Sequence, residues 1–418
     1  MDNEMEEVPA HFLCPISLQL MRDPVTVCTG ITYDRDNIEK WLFTCKSHTC
    51  PVTKQSLIIQ HTDLHLHHHD LILTPNHTLR RLIQSWCTLN PSLGTPKPSM
   101  DASHIAKLIS QAKRSPETKH NCLATLRSIA FFDRSNKSCF DSAGAIEFLA
   151  VTMIMKKNNN SSTEEEEEQD LAETAIEILF HLDLSENQIK KLINNESLRF
   201  LESLLEALKH GRSCQSRAYA TLLLKSAFSV SNPIQLINVK TELFIEIARV
   251  IRDRISQQAH KAALKIIVEL CPWGRNRIKA VEAGVVSVLV EVLLDSTERR
   301  TCELALMALD QLCGCAEGRA ELVKHGAGIA VVSKKILRVS RAASERGVRI
   351  LASICRYCGS GRVVQEMLQV GAVNKLCLVL QVDSGLKSKE RAKEILKLHS
   401  NVWKNSPCIP LPLLSSYP

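Results

Sequence analysis

From about residue 101 to 403 the apolar positions recur at i, i+3, i+4 and i+7, with polar residues on the opposite face. Ala259/Ala262/Ala263/Ile266, Ala305/Ala308/Leu309/Leu312 and Val348/Leu351/Ala352/Cys355 are three such stripes. Their small members let neighbouring helices approach closely. Shorter apolar runs follow a glycine-bearing signal: Ala283-Gly284-Val285-Val286, Gly326-Ala327-Gly328-Ile329 and Gly371-Ala372-Val373, with an earlier copy at Gly144-Ala145-Ile146. Residues 284, 326 and 371 stand 42 and 45 apart, within the roughly 40–47 of a two- or three-helix repeat. One such helix group cannot bury its apolar face alone, so the units are expected to stack into an α-solenoid. Projecting the period backward gives six or seven repeats, although the glycine is missing near residues 195 and 240.

Residues 8–88 read differently. Asp34 is placed to cap a helix carrying Ile38, Trp41 and Leu42 on one face, and Gly30 permits the turn before it. A second helix from Thr78 sets Leu79, Leu82, Ile83 and Trp86 on one stripe. The predicted order is a short β-hairpin, a helix, a return strand and a closing helix. A linker (89–100), rich in Pro, Gly and Ser over Asn90 to Ser99, separates this unit from the repeats (101–403). An insert at 156–169, Lys156 to Thr163 followed by Glu164 to Glu168, reads as disordered, with an acidic docking tract as the other reading. The tail 404–418, with Pro407, Pro410 and Pro412, reads as loose.

Composition narrows the function classes. Length, 418 residues, implies two or more units, and 44% apolar residues is ordinary for a globular chain. No apolar run reaches the roughly 18 residues of a membrane span. The start, Met1-Asp2-Asn3-Glu4-Met5-Glu6-Glu7, is acidic where a secretory signal has a basic start and an apolar run, so export is not expected. Sixteen scattered cysteines, such as Cys302, Cys355 and Cys377, read as free buried thiols of a cytosolic chain. A net charge of +7 with mixed signs and 4% aromatics does not suit a nucleic-acid surface.

Chemistry concentrates at the N-terminus. Cys14-Pro15-Ile16-Ser17 and Cys50-Pro51-Val52-Thr53 look like paired zinc-knuckle motifs with the second cysteine replaced. A structural zinc site needs four thiolate or imidazole ligands, and Ser17 and Thr53 are poor substitutes. Cys28, Cys45 and His48 do not restore the spacing. Metal binding is therefore not expected here, and hydrogen bonds must brace the unit. The cluster His61, His65, His67, His68 and His69 lacks framing ligands and reads as a solvated loop.

These residues resemble the U-box family, the metal-free relatives of RING domains. The segments run Phe12-Leu13-Cys14-Pro15-Ile16-Ser17-Leu18, Met21-Arg22-Asp23-Pro24-Val25, Thr29-Gly30-Ile31-Thr32-Tyr33-Asp34-Arg35 and Ile38-Glu39-Lys40-Trp41-Leu42. They continue with Cys50-Pro51-Val52-Thr53 and Pro75-Asn76-His77-Thr78-Leu79-Arg80-Arg81-Leu82-Ile83. With armadillo-like repeats behind it, the chain is similar to plant U-box ligases of the short class. The fold expected is mainly α: a small α+β, RING-like, zinc-free U-box followed by an armadillo-type α-solenoid.

The resemblance implies an E3 ubiquitin ligase that docks a ubiquitin-charged conjugating enzyme (E2) and holds a protein substrate on the ARM repeats. Carried over by position, Ile16 and Leu18 supply the first docking loop, Trp41 the helix, and Pro51 and Val52 the second loop. Each also reads as ordinary core. Lys54 stands where activating relatives often place an arginine; it keeps the charge without the planar fork. Cys14, Asp23, Tyr33, Asp34, Arg35 and Cys50, with Asp36, are expected to build the bracing network, whose pairs the sequence leaves open. No catalytic nucleophile, metal or cofactor is expected, because the E2 carries ubiquitin on its own cysteine and the ligase supplies proximity. Homo-oligomers through the U-box, cytoplasmic location with nuclear access, and plant stress or immune signalling are further implications. Arg217, Lys261 and Arg349 on the long helices suggest an acidic partner. The alternative is a non-catalytic adaptor whose U-box is a dimerisation platform. A nuclear-import-type carrier would need Trp and Asn ladders, and the repeats hold only Trp273 and Trp403.

Overall fold

The computed structural model describes residues 8–44, 49–57, 73–89, 102–113, 116–132, 137–154, 162–195, 197, 199–237 and 239–403. Cys45, His48, the histidine cluster, most of the linker, Lys156 to Asn160 and the tail lie outside them, as does the side chain of Asp36. Two compact units divide the chain: residues 1–108 with 128–143, and residues 109–127 with 144–418.

In the first unit, β1 (Pro24–Thr26) pairs antiparallel with β2 (Thr32–Asp34) on one edge and with β3 (Thr74–Pro75) on the other. Val25 faces Tyr33 across the hairpin and both are buried, while Thr26 faces Thr32. β-Branched and aromatic residues suit such half-buried strands. Gly30, at φ +81°, closes the turn by donating its N–H to the Val27 carbonyl at 2.9 Å. Helix α1 (Arg35–Glu39) follows β2 directly and continues as a π-helical stretch, Lys40–Thr44; α2 (His77–Leu89) follows β3. The core gathers Phe12, Met21, Val25, Val27, Tyr33, Ile38, Leu42, Leu57 and Ile83 around the sulfurs of Cys14 and Cys50.

Two local expectations are corrected. Leu82 is 53% exposed, because the core-facing stripe of α2 runs through Leu79, Ile83 and Trp86–Cys87 at i, i+4 and i+7/i+8. Asp34 does not cap α1. Its Oδ1 accepts the N–H groups of Arg22 and Asp23, both at 2.8 Å, and so anchors the approach to β1.

In sequence, α3 (Ala102–Ala112), α4 (Pro116–Phe132) and α5 (Lys137–Ser142) precede the repeats. A pair, α6 (Ala145–Thr152) and α7 (Ser162–His181), opens the repeats. Five triplets follow. They are α8 (Glu186–Asn194), α9 (Phe200–His210) and α10 (Cys214–Val230), then α11 (Pro233–Ile237), α12 (Thr241–Asp253) and α13 (Gln257–Leu270). The next are α14 (Gly274–Glu282), α15 (Val285–Asp295) and α16 (Arg299–Leu312), then α17 (Ala316–Lys324), α18 (Gly328–Lys335) and α19 (Arg341–Cys358). The last is α20 (Gly361–Gln369), α21 (Ala372–Gln381) and α22 (Leu386–Leu398), closed by α23 (Ser400–Trp403) with Trp403 fully buried. The long third helices α7, α10, α13, α16, α19 and α22 pack in succession.

Local chemistry sets the helix ends. Gly144, Gly284 and Gly371 precede α6, α15 and α21 at φ +69°, +75° and +74°. Arg199 takes the same left-handed conformation before α9, which explains the missing glycine there; Lys240, before α12, is extended. Ser213, Ser256 and Ser340 cap α10, α13 and α19 by accepting the N–H three residues on. Side chains from one repeat also reach carbonyls at helix ends of the repeat before. Gln311 Nε2 donates to Val268 O at 3.1 Å, and Ser353 Oγ to Cys313 O at 3.0 Å.

The acidic run is also corrected. Residues 162–169 form the first turns of α7, and the buried Leu171, Ala172, Ala175, Ile176, Ile178 and Leu179 hold the rest of the helix down. Arg217, Lys261 and Arg349 do not present free charge to an acidic partner. They meet Asp253 at 2.8 Å, Glu298 at 3.0 Å and Asp310 at 3.2 Å. Among the described residues no single helix is long and apolar enough to cross a membrane.

Candidate functional site

Two turns in the first unit share one geometry. Cys14-Pro15-Ile16-Ser17-Leu18-Gln19 and Cys50-Pro51-Val52-Thr53-Lys54-Gln55 align position by position, sharing Cys, Pro and Gln. In the first, Cys14 N–H donates to Gln19 O and Leu18 N–H to Cys14 O, each at 2.8 Å; in the second, Cys50 N–H donates to Gln55 O at 2.8 Å and Lys54 N–H to Cys50 O at 2.9 Å. Leu18 and Lys54 both lie in the left-handed region, at φ +56° and +59°. An isolated bridge flanks each turn, Leu13 with Leu20 and Thr49 with Ser56. For a branched or long side chain this backbone costs roughly 1–2 kcal/mol relative to glycine.

Hydrogen bonds hold both turns to the core through their cysteine sulfurs. Cys14 Sγ accepts from Asp34 N at 3.3 Å and from Asn37 Nδ2 at 3.7 Å, and Asn37 also donates to Ser17 Oγ at 3.1 Å. Cys50 Sγ meets Tyr33 OH at 3.0 Å, Thr29 Oγ1 at 3.4 Å and Thr53 N at 3.5 Å, while Val52 N–H donates to Tyr33 OH at 3.3 Å. Burial works against ionisation of Cys50, but the bonds from Thr29, Thr53 and Tyr33 outweigh it and lower the thiol from 9.0 to about 6. Burial, followed by the bond to Cys50, raises the Tyr33 hydroxyl. Asp23 ties α1 to α2: its carboxylate accepts from Arg35 Nε at 2.7 Å and from Arg80. Asn76 donates to Thr26 and Thr32 at 3.3 and 3.5 Å, and its Oδ1 accepts the Leu79 N–H at 3.0 Å, capping α2.

With the backbone fixed in this way, a shallow apolar surface faces outward. Leu18 is 75% exposed and Val52 52% exposed, on matching turns. Ile16 and Pro51 are half-buried, and Ile16 packs partly on the core. Trp41 lies in the π-helical stretch, its Nε1–H donating to Thr49 O at 2.9 Å, so the ring is locked beside the second turn. The Lys54 ammonium sits 5.9 Å from the Trp41 ring centroid, a cation–π distance. The six residues of the expected surface therefore come from the two turns and the helix between them.

A model of the U-box domain matches residues 8–91, and a model of the plant U-box protein ARM repeat region matches residues 104–418. The chain belongs to the plant U-box proteins with ARM repeats. It is 51% identical to E3 ubiquitin-protein ligase PUB23 of Arabidopsis thaliana over 100% of this chain and 98% of the relative. It is 48% identical to E3 ubiquitin-protein ligase PUB22 of the same plant over 100% of both, and 35% identical to PUB24 over 99% and 97%. One solved structure, from a study of the cadherin–beta-catenin interaction, has TM-score 0.54 at 14% identity, covering 77% of this chain and 57% of that one. That likeness concerns the fold alone.

In this U-box the residues named for bracing, Cys14, Asp23, Tyr33, Asp34, Arg35 and Cys50, all take part in the hydrogen-bond network. Asn37, Thr29 and Asn76 were missed. Asn37 sits on α1 beside buried Ile38, and a polar residue on that inner edge was the available signal. Cys50 has the depressed pKa of a nucleophile but is 0% exposed and already a hydrogen-bond acceptor, so it cannot be attacked from solvent. Cys14 is equally buried, and Cys28 is exposed. Among the described residues no three His, Cys, Asp or Glu side chains are grouped to hold a metal ion.

Proposed function

We propose that this chain is an E3 ubiquitin ligase that docks a ubiquitin-charged E2 on Leu18, Val52, Trp41, Ile16 and Pro51, and passes ubiquitin to lysines of a protein held on its ARM repeats. The exposed pair Leu18 and Val52 on matched turns carries the reading. Neither side chain serves the core, and Leu18 holds a backbone conformation unfavourable for leucine, so what they offer is apolar surface for a partner. The kinship with PUB23 and PUB22 supplies the activity. The chain contributes no covalent carrier: its role is to restrict the E2–ubiquitin conjugate and bring it near the substrate. Lys54, whose ammonium lies over the Trp41 ring, supplies one cation beside the docked enzyme. On family resemblance we assign the activity to stress or immune signalling in the cytoplasm, with nuclear access. Homo-oligomers through the U-box belong to the same reading.

The experiment is autoubiquitination with E1, a panel of E2 enzymes, ubiquitin and ATP. Ladders are expected with wild type and not with Leu18→Asp or Trp41→Ala, while all three chains keep the same circular dichroism. A folded wild-type chain that forms no ladder with any E2 turns the reading toward a scaffold.

A further inference from the structure

The positive charge of the chain is not evenly spread. Residues 328–403 hold fourteen Lys and Arg against five Asp and Glu, an excess of nine, larger than the +7 of the whole sequence. Many of these cations are matched locally: Arg346 and Arg349 by Asp310, Arg356 by Glu394, Arg391 by Glu345. Arg338 and Arg341 differ. Both are exposed, and neither guanidinium meets a carboxylate or another hydrogen-bond partner among the described residues.

The two lie on a cleft of about 320 Å³ between the α18–α19 connection, the end of α21 and the start of α22. Its walls alternate in character. Leu337, Val339, Val348 and Val379 are apolar, while Ser340, Ser344, Ser384 and Ser388 bring hydroxyls. Leu337 turns the chain into the cleft at φ +60°, a strained conformation for leucine, held by a 2.9 Å bond from its N–H to Ser344 Oγ. The Arg341 guanidinium reaches over Gly385: a Cβ at that position would stand 3.1 Å from its Nη2. Gly385 begins α22 without any side-chain cap. An arginine thus lies beside helix amides without a side-chain cap, two sources of positive potential on one side of the cleft. Asp383, exposed two residues before Gly385, is the one carboxylate lining the cleft.

We infer that the cleft bordered by Arg338, Arg341 and the start of α22 binds an acidic peptide segment. One carboxylate is taken by the two guanidiniums, and an adjacent apolar side chain lies against the accessible Leu337 and Val339, away from Asp383. This rests on the reading that the ARM repeats hold the substrate, and narrows it to a segment in which acidic and apolar residues alternate. Paired Arg–carboxylate contacts supply geometry as well as charge. The surrounding excess of cations steers such a segment inward.

The test uses the full-length chain and fluorescence anisotropy of a short fluorescein-labelled peptide of alternating Glu and Val, with its Gln-for-Glu counterpart as control. The Glu peptide is expected to bind and the Gln peptide to bind at least about ten-fold more weakly. R338E/R341E should weaken the Glu peptide about ten-fold or more, and D383N should tighten it about two-fold or more, opposite signs that a folding defect cannot give. R362E/K393E makes the same charge change at exposed positions outside the cleft and should cost less than about three-fold at physiological salt. No binding of the Glu peptide, equal binding of the Gln peptide, or equal losses for R338E/R341E and R362E/K393E overturns the assignment. Autoubiquitination ladders should persist in R338E/R341E. Their absence in wild type would sink the ligase reading, while the anisotropy result stands or falls by itself.

Discussion

Leu18→Gly separates docking from folding in a single substitution. Leu18 is 75% exposed, so its side chain contributes little to the U-box core, and its φ of +56° penalises any residue with a Cβ. Glycine removes that penalty, about 1 kcal/mol. It also adds backbone freedom to the unfolded chain, a cost of about 0.5–1 kcal/mol. The two nearly cancel, so the unfolding midpoint should stay within a few degrees of wild type. Docking is different. Fully burying a leucine is worth about 1.5–3 kcal/mol, and three-quarters of this one is still available to a partner, which leaves about 1–2 kcal/mol. The E2 dissociation constant should therefore rise about five- to thirty-fold. Calorimetric titration of an uncharged E2, beside a thermal melt of the same preparation, reads both quantities. Unchanged affinity refutes the assignment of Leu18 to docking. A melt lowered by about 2 kcal/mol or more refutes the claim that the side chain is outside the core.

Three further outcomes follow from the geometry. Asn37→Ala removes the bonds to Ser17 Oγ and Cys14 Sγ and should cost about 1–2 kcal/mol, seen as faster amide exchange in the Cys14–Gln19 turn with α13–α16 unaffected. Cys50 has a folded pKa of about 6 against 9.0 unfolded, so its ionised form adds stability that is fully present above pH 9 and lost as pH falls through about 6. Amide exchange of β1 and α1 should thus slow from pH 6 to 9 by no more than about 1.4 kcal/mol per pH unit after correction for intrinsic rates, and C50S should abolish the trend; equal pH dependence in both chains refutes it. At Asp310, burial raises the carboxyl pKa despite Arg346 and Arg349, and both arginines keep 30–40% of their side chains in solvent. Asp310→Asn should therefore stay within about 1 kcal/mol of wild-type stability in chemical denaturation; a loss above about 3 kcal/mol would show that the ion pairs outweigh the burial.

How much of this was legible in the sequence depended on the range of the interaction. Stripes such as Ala259/Ala262/Ala263/Ile266 are buried as read, because a 3.6-residue period and side-chain size are local properties. The repeat spacing was equally plain in residues 284 and 371, where φ is positive and glycine is favoured. Arg199 escaped notice because a left-handed arginine leaves no compositional mark. The acidic run before Leu171 was misread for a related reason: composition alone gives a solvated coil, and only packing of the later part of α7 extends the helix back into it. In the U-box the exposure of individual leucines could not be read, since Leu18 and Leu82 differ little in sequence context from Leu13 and Leu79. The pairing of charges across repeats was out of reach. On its own helix Arg349 stands four residues after Glu345, yet it meets Asp310 of the repeat before, while Glu345 pairs with Arg391 of the repeat after.

The matched turns are braced unequally, and that inequality bears on how the docking surface works. Cys50 Sγ lies within hydrogen-bond reach of three groups, one of them the buried Tyr33 hydroxyl at 3.0 Å, which also receives the Val52 amide. Cys14 Sγ has two longer contacts, 3.3 and 3.7 Å, and its turn depends on the single side chain of Asn37 for its link to Ser17. The second turn is therefore the stiffer. It also carries Lys54, whose ammonium lies near Trp41, a ring itself locked to Thr49. A cation meant to act at one place on a charged conjugate has to be held, because electrostatic positioning loses its effect within an ångström or so of misplacement. An apolar anchor such as Leu18 is not directional and tolerates a looser turn. On the docking proposed above, the softer turn would accommodate different E2 surfaces through Leu18, while the rigid turn would keep Lys54 and Trp41 at one fixed angle to whichever enzyme is bound.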